Sequence, residues 1–151
     1  MTASRATAAS LSPALTMWPG YLLTFIAEHA AGHFERSLGI HDITSRHASM
    51  LVVIDAEGPM SQRALGRRLR IDKSPMVGLI DDLERLGLAE RRRSSTDRRV
   101  QAIHLTPKGA RVLRERVIPL AEDENERTFG ALDEDEREVL HALLLRLAES
   151  A

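Results

Sequence analysis

Apolar residues recur at intervals of three and four along much of the chain, the spacing that places side chains on one face of an α-helix. The pattern begins at Pro19, whose missing N–H suits a first turn, and runs to Leu38, just before Gly39. It resumes after Thr44, a residue type that favours helix N-caps, and ends near Ala56. The chain therefore opens with two predicted helices.

Two further helical segments follow, separated by only a few residues. Ser61 is placed to cap a short helix with the sequence QRALGRRLR. Asp72 or Ser74 is placed to cap the next helix, with Pro75 in its first turn and Gly87 at its end. The apolar stripe of this fourth helix consists of Met76, Leu79, Ile80, Leu83 and Leu86.

Two strand-like segments come next. Leu88–Arg92 and Val100–Leu105 are too short for helices and flank the polar loop Arg93–Arg99, which predicts a hairpin. The order helix, short turn, helix, hairpin is that of a winged helix-turn-helix. The predicted fold class is therefore mainly α with a small β-hairpin wing, joined to a helical dimerisation region.

The C-terminal third returns to the helical period. Thr106 and Pro107 open a fifth helix that Pro119 should kink or interrupt, and an acidic capping box from Asp133 opens a sixth. We expect four parts. They are a flexible N-terminal arm over 1–17, dimerisation and scaffold helices over 18–58, the winged helix-turn-helix over 59–106, and C-terminal dimerisation helices over 107–151. We do not interpret the N-terminal arm as a signal peptide.

Composition narrows the class of protein. The 151 residues include 43% hydrophobic and 28% charged residues, as in ordinary soluble domains, and no cysteine. The lack of cysteine excludes a disulfide scaffold, a thiolate zinc site and a cysteine nucleophile. No apolar run approaches 18 residues, so we expect a cytoplasmic protein without a membrane partner. The motifs G-x-S-x-G and H-E-x-x-H and a phosphate-binding glycine loop are absent, so we expect neither an enzyme nor a cofactor.

Charge is divided unevenly along the chain. Ser61–Arg111 holds 13 basic and 6 acidic residues, a net charge of +7, while the remaining residues sum to −8. A basic module on an acidic scaffold predicts a polyanion as partner. Glu122–Glu138 holds nine carboxylates, which fit a solvated face kept away from DNA. Five arginines fall within nine positions of the predicted hairpin: Arg91, Arg92, Arg93, Arg98 and Arg99.

The fourth helix is placed to contact double-stranded DNA. Its apolar stripe anchors it on the core, so its N-terminal edge, with outward N–H groups, is free for phosphates and base edges in a major groove. The arginine-rich hairpin suits a minor groove, whose negative potential attracts arginine. The alternative is a winged helix that serves only as a protein-interaction module. A salt-dependent gel shift with random duplex would discriminate the two.

Three motifs in this module stand in a fixed order: D-D-L-E-x-L-G-L-x-x-R from Asp81 to Arg91, D-x-R at Asp97–Arg99, and L-T-x-x-G from Leu105 to Gly109. With them, Ser61–Arg111 resembles the winged-helix core of the MarR family of bacterial transcription regulators. The resemblance implies a homodimer with interlocked terminal helices that binds a pseudo-palindromic operator, usually as a repressor. It also implies that the protein can release DNA when a small phenolic or aromatic-acid ligand enters a crevice between the dimer region and the winged helix.

The resemblance also assigns DNA contacts. It matches the start of the fourth helix to base or phosphate contacts, the start of the third to backbone contacts, and Asp97 to orienting Arg99. With the charge of the hairpin, the expected DNA-binding residues are Ser61, Gln62, Lys73, Ser74, Pro75, Arg93, Asp97, Arg98 and Arg99. Many members carry a polar pair in the middle of the recognition helix, where this chain has Val77 and Gly78. We therefore expect less direct base readout and more shape readout through the wing.

The regions outside the basic module carry the remaining hypotheses. Amphipathic helices at both ends favour a homodimer, the alternative being a monomer that packs its ends together. A site formed by aromatic side chains and a cation could bind an aromatic carboxylate as effector. The candidate residues for such a site are Trp18, Tyr21, Phe25, His33, Arg46 and His47. The alternative is that they are ordinary core and interface residues. His29 and His33 have the i, i+4 spacing of shared metal ligands, but no third ligand accompanies them, so a metal-responsive regulator is only an alternative.

Overall fold

A computed structural model describes residues 11–93 and 101–150. These residues form a mostly helical fold with a small antiparallel sheet, which confirms the predicted fold class. Leu113–Val117 form a π-helical turn. The remaining elements are α1 (Pro13–Thr16), α2 (Pro19–Gly39), α3 (Ser45–Glu57), β1 (Met60–Ser61), α4 (Gln62–Leu69), α5 (Lys73–Arg85), β2 (Ala89–Arg93), β3 (Gln101–Leu105), α6 (Pro107–Val112), α7 (Ile118–Phe129) and α8 (Glu134–Ser150).

Local capping signals define the helix-turn-helix of α4 and α5. The Ser61 hydroxyl accepts a hydrogen bond from the Ala64 N–H at 3.2 Å and so caps α4. Of the two candidate caps for α5, Asp72 occupies the N-cap position, and its side chain makes no capping bond within the described residues. Gly87 ends the helix with φ of 70°, a left-handed conformation that glycine adopts without steric cost. The Leu88 N–H then bonds the Leu83 carbonyl at 2.8 Å, which closes a Schellman motif.

The wing belongs to a three-stranded sheet with the order β1-β3-β2. The predicted hairpin is present as β2 and β3, with Ala89 opposite Leu105 and Arg93 opposite Gln101. The third strand, β1, pairs Met60 with Ile103 and was not predicted, because two residues carry no periodic signal. The segment between β2 and β3, residues 94–100, lies outside the described residues.

One hydrophobic core supports the helix-turn-helix and the sheet. Three residues of the predicted α5 stripe, Met76, Ile80 and Leu83, are fully buried, whereas Leu79 and Leu86 are half-buried at its margin. Other fully buried side chains of this core are Leu38, Ile43, Met50, Leu51, Leu65, Ile103 and Leu113. Burying each large aliphatic side chain contributes about 1.5–3 kcal/mol, so the stripe fixes the orientation of α5 and leaves its opposite face in solvent.

The fifth predicted helix is present in three parts. Thr106 caps α6, since its hydroxyl accepts from the Gly109 N–H at 3.0 Å. Pro119 was expected to kink or interrupt this helix, and the interruption is the π-helical turn just before it. The reason is that a proline has no N–H to donate and its ring clashes with the carbonyl four residues earlier. The predicted capping box of the last helix is confirmed: the Glu136 N–H bonds Asp133 at 2.9 Å and Glu136 bonds the Asp133 N–H at 3.0 Å.

The N-terminal arm predicted to be flexible over residues 1–17 is helical at Pro13–Thr16, with a proline in the first turn. Residues 1–10 lie outside the described residues. None of the helices in the described ranges is both long and apolar enough to span a bilayer.

Candidate nucleic-acid interface

The N-terminal edge of α5 is exposed, as its amphipathic pattern predicts. Lys73, Ser74 and Pro75 are all exposed, while the next residue, Met76, is 1% exposed and anchors the helix. The N–H groups of this first turn point out of the helix end and carry its positive partial charge. The edge therefore combines a cationic side chain, a hydroxyl and backbone donors on a fixed support.

The start of α4 lies beside this edge. Gln62 lines one open concavity together with Lys73 and with Gln101 of β3. Gln101 is in turn opposite Arg93 of β2, which is exposed at the end of its strand. The structure thus brings Gln62 and Lys73 together beside the base of the wing, and Ser74 and Pro75 follow Lys73 along the exposed edge. Ser61 is occupied as a helix cap, although its hydroxyl proton is still available to a second acceptor. Asp97, Arg98 and Arg99 lie outside the described residues.

Arg91, one of the five arginines of the predicted hairpin, is directed inward. Its guanidinium forms ion pairs with Asp81 at 2.7 Å and with Glu84, both on α5. Its backbone N–H also donates to the Glu84 carboxylate at 2.8 Å. Burial disfavours the charged guanidinium. The hydrogen bond that Arg91 donates to Asp81 and the charges of Glu84 and Asp81 outweigh this effect, so the pKa of Arg91 is raised above its ordinary value. Arg91 therefore links the wing to α5.

The middle of α5 offers little for base recognition. Val77 is 37% exposed, and a Cβ placed on Gly78 would meet no atom within 4 Å. Neither side chain can donate or accept a hydrogen bond. Arg92, the next arginine of β2, is paired with Glu90 on its own strand. Among the described arginines of the wing, Arg93 is therefore the one that forms no ion pair with the described residues.

The aromatic residues proposed for an effector lie along one face of α2. The Tyr21 and Phe25 rings have centroids 6.3 Å apart, and the Phe25 and His29 rings are 4.1 Å apart. Trp18, at the start of the helix, is 62% exposed. This row gives α2 a partly exposed aromatic face.

His33 continues the same face but is engaged. Its Nδ1 lies 2.5 Å from the Glu124 carboxylate on α7, and Glu124 also accepts from the Thr128 hydroxyl at 3.1 Å. Glu124 is 9% exposed, and sequence reasoning missed it because the pair is 91 positions apart. The Nδ1 of His29 lies 2.8 Å from the Phe25 carbonyl. Within the described residues, no group of three His, Asp or Glu side chains could hold a metal ion.

Arg46 and His47 lie at the other end of α2. Glu35 bonds the Ser45 N–H at 3.0 Å there, and the 17 residues that follow Trp18, up to Glu35, span about 25 Å of helix. Arg46 is exposed, so within one chain the six effector candidates do not form one site.

His47 is 4% exposed and completes the cap of α3, where its Nδ1 accepts from the Thr44 N–H at 3.1 Å. Its Nε2 is buried without a hydrogen-bond partner among the described residues, 3.7 Å from Asp82. Burial lowers the pKa of His47 below its usual value, against the raising influence of the Asp82 and Glu35 carboxylates. His47 is therefore part of the core, whether or not it also contacts an effector.

Comparison with known proteins agrees with this geometry. A family model described as MarR family matches residues 41–100. A transcriptional regulatory protein of Thauera aromatica, named for the hcr operon, is 38% identical over 99 residues, which cover 65% of this chain and 58% of that relative. The transcriptional repressor NicR of Pseudomonas putida is 27% identical over 87% of this chain and 82% of its own length. BpsR of Bordetella bronchiseptica, whose structure concerns regulation of DNA binding by 6-hydroxynicotinic acid, superposes with a TM-score of 0.78, 25% identity, and coverage of 88% and 94%.

The chain has a helix-turn-helix whose second helix exposes its N-terminal edge, followed by a hairpin wing. Together with these relatives, this fold defines a winged-helix transcription regulator. This is a class of DNA-binding proteins that are not enzymes. Within that class, residues 41–100 match the model of the MarR family, in agreement with the resemblance of the motifs between Asp81 and Gly109.

Proposed function

We propose that this regulator is a homodimeric repressor that binds a pseudo-palindromic operator and leaves it when a small aromatic acid binds. The observation that carries the proposal is the single face that joins the edge Lys73–Pro75 of α5 to Gln62 and the base of the wing. Residues 59–106 would form the DNA-binding core in this proposal, and the helices of 18–58 and 107–151 the dimerisation region and scaffold.

The proposed contacts divide by chemistry. Lys73 is a point charge suited to a phosphate, while Ser74 and Gln62 can donate to base edges or to backbone oxygens. Arg93, Arg98 and Arg99 would supply the wing, with Asp97 orienting Arg99, and Ser61 and Pro75 would border the contact. Because Val77 and Gly78 offer no hydrogen bonds, operator selection in this proposal depends strongly on DNA shape.

An apolar row on α8 supports the homodimer. Val139, Leu143 and Leu147 follow one another at intervals of four and are 60%, 47% and 57% exposed. A row of large apolar residues along one helix face favours burial against a second copy, which would also supply the symmetry of a palindromic site.

The effector proposal draws on relatives. BpsR has DNA binding that responds to 6-hydroxynicotinic acid, an aromatic acid, and NicR is a repressor by name. The aromatic face of Tyr21 and Phe25, followed by His33, is the part of this chain that fits such a ring. Trp18 lies at the start of the same helix, whereas Arg46 and His47 lie near its other end.

Fluorescence anisotropy with operator and random duplexes tests the DNA contacts. Lys73→Ala should weaken binding to both duplexes equally and lower the salt slope by about 0.9, as expected for one lost phosphate contact. Ser74→Ala should narrow the difference between operator and random DNA. A changed base preference with an unchanged salt slope for Lys73→Ala would reverse the two roles.

The wing is tested in the same assay. Arg99→Ala should cost about 1–3 kcal/mol of operator binding, and Asp97→Ala part of that loss. Arg5→Ala, in the N-terminal arm, is the control and should change little. Wild-type affinity for Arg99→Ala at physiological salt would refute the assignment. Release of the operator by 6-hydroxynicotinate, weakened by Phe25→Ala, would support the effector proposal.

A further inference from the structure

A broad concavity between α4 and the start of α5 is bordered by positive charge. It encloses about 1100 Å³ and is open to solvent. Asp72, the nearest carboxylate in sequence, is not among its lining residues, and none of the lining residues that the structure describes is acidic. Its described lining residues include Arg63, Arg67 and Arg70, together with Gln62, Lys73 and Gln101.

The cations of this concavity come mainly from one face of α4. Arg63 and Arg67 are four positions apart on α4 and so share one helix face, and Arg70 follows at the C-cap of the helix. All three are exposed and line the concavity. Lys73 faces them from α5. None of these four residues forms an ion pair with another described residue, whereas Arg68, on a different face of α4, pairs with Glu57 at 2.7 Å.

Arg70 occupies a backbone position where arginine is unfavourable. It ends α4 with φ of 52° and ψ of 42°, the left-handed conformation usually taken by glycine or asparagine. A residue held there at a conformational cost points to a role for its side chain. The position brings a third guanidinium to the rim of the concavity.

We propose that this α4 face, Arg63, Arg67 and Arg70, binds phosphate groups of the DNA backbone next to the edge where α5 meets the bases. The inference rests on the proposed DNA-binding function and extends it to residues that no sequence motif marks. A duplex is favoured over a small anion because the concavity is open and wide and continues directly into Lys73 of the DNA-facing edge.

The consequence concerns how the protein divides its binding energy. The middle of α5 lacks polar side chains, so base contacts are few, whereas the α4 face adds three cations to the Lys73 contact. Phosphate contacts provide affinity without reading sequence and make it dependent on salt. The protein therefore holds any duplex firmly and discriminates operator from random DNA by a comparatively small ratio.

The test replaces each arginine and measures binding by anisotropy between 50 and 200 mM salt. The variants are Arg63→Gln, Arg67→Gln and Arg70→Gly, alone and combined, with Arg68→Gln as the matched control on the same helix. Each lost phosphate contact should lower the salt slope by about 0.9, which reduces the affinity change over this range about 3.5-fold. The triple variant should show a change about 40-fold smaller than wild type, equally on operator and random duplex. Arg68→Gln should match wild type.

Arg70→Gly separates a binding role from a structural one. Glycine relieves the left-handed backbone, so the melting temperature should fall by no more than about 2 °C while DNA affinity falls. Wild-type affinity and salt slope for the triple variant, with Lys73→Ala still impaired, would overturn the inference and leave the proposed function intact. A triple variant that loses binding of inorganic phosphate but keeps DNA binding would also overturn it. Failure of the wild-type protein to bind any duplex would instead refute the proposed function.

Discussion

Replacing Glu84 with alanine should loosen the wing from α5, because this one carboxylate makes two of the contacts that join them. Glu84 pairs with the Arg91 guanidinium and accepts from the Arg91 backbone N–H at 2.8 Å. β2 is an edge strand of the sheet, and edge strands leave N–H groups without strand partners. Glu84 satisfies one of these groups at the base of the wing.

The size of the effect follows from burial. A hydrogen bond to a charged acceptor contributes about 1.5–3 kcal/mol, and a partly exposed ion pair adds at most about 1 kcal/mol. Arg91 keeps its pair with Asp81 in the variant, so we expect a loss of about 2–3 kcal/mol from the free energy of unfolding. At about 2–4 °C per kcal/mol, the melting temperature should fall by roughly 4–12 °C.

Urea unfolding followed by circular dichroism measures the loss, at a fixed protein concentration because a dimer gains stability by mass action. Glu84→Gln keeps an acceptor for the Arg91 N–H and should lose about half as much. Asp81→Ala removes a carboxylate that is 59% exposed and should cost about 1 kcal/mol or less. Equal losses for Asp81→Ala and Glu84→Ala would show that the backbone hydrogen bond is not the main contribution, and would refute the reasoning.

Three further predictions concern the core and the dimer. His47→Gln keeps a side chain that can cap the Thr44 N–H. Because burial lowers the pKa of His47 below 6.5, the stability of the wild-type protein should fall as the pH drops from 7.5 to 5.5. In thermal melts the variant should lose less stability over the same pH range. Gly109→Ala should destabilise the protein by more than about 3 kcal/mol, because the new Cβ would lie 1.9 Å from the Leu88 carbonyl oxygen. Gly78→Ala, in open space on α5, should instead stabilise the protein by about 0.5–1 kcal/mol. Unfolding curves that show similar changes for the two variants would contradict this expectation. Leu143→Glu should convert the proposed dimer to a monomer in light scattering, and an unchanged mass would remove α8 from the interface.

Local signals in the sequence were enough to predict the framework. Thr44 and Ser61 cap helices as their types suggest, and Gly87 ends α5, because caps and stop residues act within a few positions. The apolar stripe of α5 likewise predicted which face is buried, and therefore which edge is exposed. The description of the edge proposed to face DNA depends on no contact beyond this helix and its neighbour.

Contacts between distant segments could not be predicted in the same way. The His33–Glu124 pair joins helices 91 positions apart, and β1 exists only because β3 passes beside it. The direction of Arg91 did have a local signal, since in a strand it shares a face with Ala89, which is 2% exposed. Counting arginines by charge alone missed this alternation.

The π-helical turn at Leu113–Val117 lies between α6 and α7, and its length determines how far α7 is rotated about the helix axis relative to α6. The three segments together form one helical rod. On the N-terminal side of the turn, Gly109 fixes α6 against Leu88 beside the wing, and on its other side Glu124 fixes α7 against His33. A π turn holds one residue more than an α turn, so deleting one residue here would rotate α7 by about 100° and shorten the rod by about 1.5 Å. Glu124 would then turn away from His33. The number of residues in this turn therefore determines the orientation of the wing and α5 relative to the helices that are proposed to pair two subunits.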